Sequence, residues 1–363
     1  MALIPQNVTP LSNERKSMTA PHPVRTVVTV GMAGVLAGTL AACSPAAQQD
    51  AEANNGESGE LTSVTLQIDG AAVPYYAPLY EAVEQGFFED HGLDVAFTYA
   101  SGSDIVQNVA AGNVEFGFPN GDSVITAYAN GIPSNVVHTT YQQGIGALLF
   151  DNSTGLSSPA DLEGLRVGVT DLGSPNYAQL QAMLAEADLT VEDIEVETIG
   201  TGAIVQALQG GEVDAIVFSR LRYYTLQNAG MDVGQILSDQ YLPSFGNILV
   251  TSPDMVQSQS DTVAAFTAAL DEGIQYTIDN IDESVAMSIE QYAPSFEGQN
   301  DDIAQVLEEV FAAELWQSED TVEQGFGYGD LERWQQAVDT QAEFGLIEEA
   351  FDADEMVVQP DEL

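Results

Sequence analysis

Arg220 and Arg222 stand two positions apart, directly after an apolar stretch that is predicted to be a buried strand. They are two of the four basic residues that follow Cys43, against 55 acidic ones. A planar guanidinium binds a carboxylate, sulfonate or phosphate through parallel hydrogen bonds. The pair therefore predicts a site for an anionic or zwitterionic solute, with ion pairing to the many acids of the chain as the alternative.

A second group of candidate residues follows two apolar stretches nearer the start of the chain. Tyr75 and Tyr76 offer flat, rigid surfaces that stack on a ring-shaped ligand or close over it, and packing in a core is the alternative for at least one of them. Asp69 ends the first of these stretches. The second is followed by residues that are either ligand contacts or helix N-caps, namely Asn120, Asp122 and Ser123.

An internal repeat accounts for the elements that position these residues. The segment IVQNVAAGNVEF at 105–116 aligns without gaps with IVQALQGGEVDA at 204–215. Each copy lies in the same order of strand, helix, strand, helix and strand, with strands at 64–68, 95–99 and 116–119 and at 166–169, 194–198 and 215–219. This alternation predicts two α/β lobes, each with a mostly parallel sheet and right-handed crossovers. The alternative is that a glycine turn between a helix and a strand is common in proteins, so that the shared segment does not reflect a duplication.

The carboxyl ends of the predicted strands are where a ligand is expected. Open parallel sheets bind ligands there, because the following helices present free N–H groups. The segments 69–76, 119–123, 170–177 and 219–224 would then line one cleft, which adds Ser219 to the candidates. After Thr251 the apolar residues recur at helical spacing and predict a helical C-terminal region that ends its last amphipathic helix near Gly345.

The composition excludes several classes of function. With 7 basic and 56 acidic residues, the chain cannot neutralise phosphates, so nucleic acid is excluded as a partner. Cys43 is the only cysteine and His91 and His138 are the only histidines after it, which leaves no disulfide and no Cys/His metal cluster. Neither a phosphate-binding glycine loop nor a nucleophile elbow is present. We therefore expect binding by closure, without catalysis, metal or cofactor.

The first 43 residues are typical of an export signal. Arg15, Lys16 and Arg25 precede the apolar run TVVTVGMAGVLAGTLAA, which ends in the sequence LAAC at Cys43. This junction resembles the bacterial lipobox, in which the cysteine is acylated, and an ordinary signal peptide that happens to contain a cysteine is the alternative. Residues 44–62 are small, polar and acidic, as expected of a flexible tether. We predict an extracytoplasmic protein that is anchored to the cell membrane by lipid on Cys43.

The body of the chain resembles a known family of solute-binding proteins. VTLQIDGAAVPYYAPLYEAVEQGFFEDHGLDVAF is similar to the start of the nitrate, sulfonate and thiamine-precursor group, also called NMT1/THI5-like. AGNVEFGFPNGDS, SSPADLEGLRVGV, GGEVDAIVF and GDLERWQQAVDTQAEFGLI agree with it in order and spacing, from residue 64 to about 358. The resemblance implies a type II periplasmic-binding-protein fold, and it implies the permease and the ATPase of an importer as partners.

The resemblance also implies domain boundaries and further site residues. The first lobe is expected at 63–152 plus 246–363, the second at 153–245, and the protein is expected to be a monomer. Tyr141 and Gln142 match a glutamine that often follows the fourth strand in relatives. Gly173, Ser174 and Asn176 resemble a Gly-Ser turn that offers backbone donors, with Tyr177 able to cover the ligand.

The resemblance leaves the solute and the role open. Relatives that bind aminopyrimidines carry an acid shortly after the strand that precedes Arg220, and residues 220–227 contain none. This departure favours an anionic, sulfonate-like solute over a heteroaromatic thiamine-precursor-like one. A ligand sensor for a membrane receptor is one alternative role, and a pyrimidine-synthase-like enzyme is another.

The charge balance predicts dependence on salt. A formal net charge of -49 produces strong self-repulsion in a compact fold, and at 1 M salt the screening length falls to about 3 Å. The protein is therefore expected to be adapted to high salt, and its free energy of unfolding should rise between 0.1 M and 2 M KCl. Urea unfolding at both concentrations checks this, and equal stability in dilute buffer would contradict it.

Overall fold

The structure is a computed structural model that describes residues 61–172 and 174–363. The predicted signal peptide, the lipidation site Cys43 and nearly all of the predicted tether lie outside these residues. Within the described ranges, no helix combines the length and the apolar character that crossing a membrane requires.

The first part of the body alternates strands and helices as predicted. Its elements are β1 (Thr62–Asp69), α1 (Ala77–Glu84), α2 (Phe87–Asp90), β2 (Leu93–Ala100), α3 (Gly102–Ala110), β3 (Phe116–Phe118), α4 (Gly121–Ala129) and β4 (Asn135–His138). β1 pairs in parallel with β2 on one side and with β3 on the other. Its alternate residues Val64, Leu66 and Ile68 are buried, so one face of the strand packs in the core.

The second part repeats this order around a second sheet. Its elements are β5 (Gly146–Asp151), β6 (Arg166–Val169), α5 (Pro175–Glu186), β7 (Glu195–Thr198), α6 (Ile204–Gln209), β8 (Ala215–Ser219), α7 (Leu221–Asn228) and β9 (Val233–Leu237). The IVQ helices α3 and α6 both end before a glycine in the left-handed region, Gly112 at φ 68° and Gly211 at φ 69°. A side chain is strained in this conformation, which is why the two copies share the glycine.

The last part returns to the first sheet and then becomes helical. It begins with β10 (Leu249–Thr251) and continues with α8 (Pro253–Ser258), α9 (Ser260–Asp279), α10 (Ile281–Gln291), α11 (Asn300–Val306), a π-helical segment (Leu307–Leu315), α12 (Glu319–Gln324) and α13 (Leu331–Glu343). Phe266, Leu270 and Phe311 from these helices are buried in one core cluster with β1 and α1. The predicted C-terminal helical region is therefore confirmed as part of the fold.

The two sheets correspond strand for strand, in the orders β2-β1-β3-β10-β4 and β7-β6-β8-β5-β9. Each has one strand antiparallel to both of its neighbours, β10 in the first and β5 in the second. In both cases this is the strand that the chain forms on arriving from the other sheet. β5 belongs to the second sheet, although it precedes the predicted lobe boundary at residue 152. We propose that the first lobe ends within residues 139–145.

The two crossing segments, 139–145 and 238–248, run side by side. The N–H of Tyr141 donates to the carbonyl of Asn247 at 3.0 Å, and the N–H of Gly246 donates to the carbonyl of Gln143 at 3.0 Å. A Cβ at Gly246 would lie 2.5 Å from Cδ2 of the buried Tyr141 ring. The close approach of the crossings therefore requires glycine at this position.

Replacement of this glycine should destabilise the protein. In Gly246→Ala the added methyl group has to displace a buried ring, and overpacking of this kind costs about 1–3 kcal/mol. Urea unfolding in molar salt measures the loss. Gly200→Ala is the matched control, since a Cβ there meets no atom within 4 Å. Equal stability of both variants would show that the crossings are not tightly packed.

Candidate functional site

A cleft lies between the two sheets, where strand ends and both crossing segments meet. From the first lobe it is lined by Asp69, Asn120 and Asp122, and from the second by Pro175, Asn176, Gln179, Phe218 and Ser219. Its floor is formed by the crossings, through Gly144, Ile145, Gly146, Ser244, Phe245, Gly246 and Asn247. The location agrees with the expectation that ligands bind beyond the carboxyl ends of the strands.

Asp69 and Asn120 supply polar groups at the first-lobe wall. Asn120 caps α4 by accepting from the N–H of Ser123 at 2.9 Å, and its Nδ2 donates to Oδ2 of Asp69 at 3.5 Å. Burial raises the pKa of Asp69 above its usual range, and hydrogen bonds from Asn120 and from backbone N–H groups offset part of this rise. The Asp69 carboxyl is therefore a poorly solvated acceptor at the cleft.

Asp122 is the second carboxyl of the cleft. Burial, together with the nearby charge of Asp239, raises the pKa of Asp122 to about 7. Nε2 of Gln341 donates to its Oδ1 at 3.1 Å and partly opposes this rise. The Asp122 side chain can thus accept hydrogen bonds or, near neutral pH, donate one.

Gln179 is the most deeply buried polar side chain of the second-lobe wall. It is 5% exposed, and among the described residues its Oε1 has no hydrogen-bond partner. A Cβ at Gly146 would lie 2.2 Å from this oxygen, so the glycine allows the carboxamide to approach the crossing. An unsatisfied buried carbonyl costs about 1–3 kcal/mol, which a ligand N–H donor would recover.

Two phenylalanines provide the apolar surface of the cleft. Phe245 stacks on Trp334 with ring centroids 3.9 Å apart, and the Arg333 guanidinium lies 5.1 Å from its centroid. Phe218 packs in the second lobe. Rings held in this way offer rigid apolar contact to a ligand at little entropic cost, although only 2% of Phe245 is exposed.

The predicted tyrosines do not line the cleft. Tyr76 is buried and donates from its hydroxyl to the carbonyl of Asp69 at 2.8 Å. Tyr75 stacks on Phe311 with centroids 5.3 Å apart, and Tyr141 packs edge-on against the same ring. Tyr177 packs against the core of the second lobe. Phe311 of the C-terminal helical region thus packs on Tyr75 and Tyr141, and the alternative that at least one of Tyr75 and Tyr76 packs in a core holds.

The predicted arginines also lie away from the cleft lining. Arg220 is 4% exposed, and its Nη2 donates to Oε2 of Glu314 at 2.5 Å. Arg222 is exposed, with its guanidinium 5.9 Å from the centroid of Phe218. That they form a fork for an anionic group stays a prediction; Arg220 forms the alternative ion pair through Nη2, while its Nε and Nη1 have no partner among the described residues.

The remaining predicted residues divide between the cleft and its supports. Asp69, Asn120, Asp122, Asn176 and Ser219 are brought together at the cleft.

Others have structural partners instead. Gln142 is buried and donates to the carbonyls of Thr139 and Tyr328, so its amide holds the crossing in place rather than reaching the cleft. Ser174 caps α5 and donates to the carbonyl of Asp171 at 2.7 Å. The N–H of Ser123 donates to Asn120, the N-cap of α4. Gly173 lies outside the described residues.

Sequence reasoning missed several lining residues, above all Gln179, Phe218, Phe245 and Asn247. Asn247 forms an isolated bridge with Asn120 and donates to the carbonyl of Phe118 at 2.8 Å. Phe245 and Asn247 flank the predicted boundary at 245/246, and the fact that crossings form a cleft floor could have identified them. Gln179 carried no comparable signal beyond its place in the first turns of a predicted helix.

The two histidines that follow Cys43 pair with acidic side chains. His91 pairs with Glu272 and His138 with Asp271, each at 2.8 Å, and neither histidine is a lining residue. In the part of the chain that the structure describes, no group of three or more His, Cys, Asp or Glu side chains is arranged to hold a metal ion.

Comparisons with known proteins agree on one family. The model of the family described as NMT1/THI5 like matches residues 73–284. The chain is 27% identical over 333 residues to the riboflavin-binding protein RibY of Chloroflexus aurantiacus, covering 88% of this chain and 93% of that protein. It is 25% identical over 305 residues to the formylaminopyrimidine-binding protein of Halalkalibacterium halodurans, covering 82% and 88%.

A solved structure supplies the fold. The periplasmic aliphatic sulphonate binding protein SsuA from Escherichia coli superposes with a TM-score of 0.61 at 17% identity, covering 83% of this chain and 93% of that one. This similarity establishes the periplasmic-binding-protein fold, with two mixed sheets flanked by helices.

The pKa of Asp122 predicts a pH-dependent stability. An unfolded aspartate titrates near pH 3.9, whereas the folded-state pKa is about 7. Between these values the folded state binds the additional proton, so the free energy of unfolding falls as pH rises from about 4 to about 7. Asp122→Asn keeps an acceptor for Gln341 without the charge, and should be more stable than the parent at pH 8 but similar at pH 4.

Urea unfolding at both pH values in constant molar salt measures the difference. Asp254→Asn, an exposed aspartate in the first turn of α8, is the control and should show no such gain at pH 8. A variant at Asp122 that loses stability at pH 8 would contradict the assigned direction.

Proposed function

The chain belongs to the NMT1/THI5-like family, and we propose that its cleft captures a heteroaromatic solute bearing N–H groups and delivers it to a membrane importer. As a solute-binding protein it would act by closing its lobes, without transforming the ligand. In such a mechanism a bound solute shifts the balance between open and closed states only by its greater affinity for the closed one. The paired crossing segments are the natural hinge.

The excess of hydrogen-bond acceptors in the cleft is the observation that carries this proposal. Asp69 and Asp122 present carboxyl groups, and Gln179 presents an unpartnered carbonyl. No cationic side chain is among the described lining residues. A sulfonate or nitrate would face like charge without a guanidinium to bind it, whereas ring and exocyclic N–H groups would satisfy the acceptors.

The apolar contacts favour the same class of ligand. Phe218, which is partly buried, and Phe245, which is 2% exposed, contribute apolar surface against which a planar heterocycle can pack. The solutes in the names of the two relatives, riboflavin and formylaminopyrimidine, are both planar heteroaromatics with N–H groups. This agreement supports a heteroaromatic ligand over the anionic one suggested by the arginines.

We also propose that Cys43 carries a lipid and that the importer consists of a permease with its ATPase. The family and the LAAC junction support this arrangement, which keeps the binding protein close to the membrane. Acylation is testable by mass spectrometry of the protein isolated from membranes.

A ligand panel tests the proposed function. Calorimetric titration in molar KCl should detect binding of riboflavin or formylaminopyrimidine, and no binding of ethanesulfonate or nitrate. Gln179→Leu should weaken the heteroaromatic ligand at least about tenfold, because a hydrogen bond to a buried carbonyl is lost.

Gln206→Leu, on the exposed face of α6 in the same lobe, is the matched control and should bind like the parent. Circular dichroism verifies that both variants fold. Binding of the sulfonate in the absence of heteroaromatic binding would overturn the proposal.

A further inference from the structure

A second compartment adjoins the cleft on the far side of Asp122. Asp122 and Pro175 line both spaces, so the two are contiguous. The compartment has a volume of about 190 Å³ and the cleft about 180 Å³. Either space alone is smaller than the roughly 300 Å³ at which pockets for organic ligands begin, whereas the two joined exceed it.

The compartment contains an unpartnered buried acceptor. Gln341 is 1% exposed, its Nε2 is used by Asp122, and among the described residues its Oε1 has no hydrogen-bond partner. Leaving a buried carbonyl unpaired is unfavourable, and such groups in native proteins normally find a donor. An O–H or N–H donor of a ligand that reached the Gln341 oxygen would satisfy it.

The other walls come from both lobes and combine apolar side chains with Thr126 and Ser174, which carry hydroxyl groups. Ala178 and Leu242 from the second lobe face Leu346 from the first, and Leu346 is among the large apolar side chains that remain exposed, at 38%. A chain that carries hydroxyl groups along one edge and C–H groups along the other matches this lining. A ring with a simple methyl group would leave the compartment empty.

We propose that the compartment beyond Asp122 binds a polyhydroxylated side chain of the solute whose ring occupies the cleft. This inference rests on the proposed function and narrows the ligand class to heteroaromatics with an alditol-like arm. Because the arm bridges Gln341 in the first lobe and the wall of α5 in the second, it adds contacts that form only when the lobes are together. The elevated pKa of Asp122 lets its carboxyl donate to or accept from the arm near neutral pH.

Two flavins that share a ring and differ in the arm test the proposal. Riboflavin carries a ribityl chain where lumiflavin carries a methyl group, and quenching of flavin fluorescence reports binding of either to the full protein in molar KCl. Riboflavin should bind at least tenfold more tightly than lumiflavin. Gln341→Leu should weaken riboflavin by a similar factor and lumiflavin much less, since lumiflavin has no arm to bind in the compartment.

Two further variants keep the test decisive. Gln336→Leu, on the exposed face of α13, is the matched control and should bind riboflavin like the parent. Leu346→Trp fills the compartment from its exposed side while leaving the Asp122–Gln341 hydrogen bond intact, and it should also bring riboflavin to the affinity of lumiflavin. If Gln341→Leu fails to fold, Leu346→Trp still tests the proposal.

The possible outcomes separate the two proposals. Equal binding of both flavins, or binding of formylaminopyrimidine without either flavin, would overturn the compartment while leaving the proposed function in place. If no heteroaromatic binds, the proposed function fails and the compartment proposal fails with it.

Discussion

The carboxylate of Asp239 is the interaction on which the arrangement of the two lobes depends. It accepts from the N–H of Gly144 at 2.8 Å and from the N–H of Ser244 at 3.2 Å, one in each crossing segment. Nη2 of Arg333 on α13 donates to both of its oxygens at 2.7 Å. One side chain thereby fastens both crossings to each other and to the C-terminal helix. Charge-assisted hydrogen bonds of this kind are roughly twice as strong as neutral ones.

The consequences of this junction reach the cleft. Arg333 is held over Phe245, whose ring is stacked on Trp334 and lines the cleft. The charge of Asp239 also helps to raise the pKa of Asp122. Asp239 and Arg333 therefore connect three features of the structure: the paired crossing segments, the Phe245 ring in the cleft wall and the raised pKa of Asp122. Arg220 and Glu314 add a second ion pair between the lobes.

The fold was predictable because its determinants are local and repeated. The IVQ repeat and the left-handed glycines Gly112 and Gly211 recur in register, so two matching sheets followed from pattern alone. The antiparallel direction of β5 and β10 could not be predicted from the pattern, because their pairing depends on contacts between segments about a hundred residues apart. For that reason the predicted boundary at 152 did not take account of the pairing of β5 with the second sheet.

The site was predictable only where a residue's role follows from its place at a strand end. Asp69, Asn120 and Asp122 satisfy that condition and line the cleft. Tyr75 and Tyr141 do not, since both pack against Phe311, a residue far along the chain whose position no local pattern reveals.

The acidity of the chain bears on which solutes such a cleft can bind. With 56 acidic and 7 basic residues, the surrounding potential opposes the approach of an anion at low ionic strength. Arg166, Arg220 and Arg333 form ion pairs with Asp214, Glu314 and Asp239, although Nε and Nη1 of Arg220 have no partner among the described residues. High salt screens the long-range repulsion, but it supplies no hydrogen-bond donor inside the cleft. A neutral ring with N–H groups needs neither steering by charge nor a free guanidinium, so the same composition that makes the protein acidic favours a heteroaromatic solute.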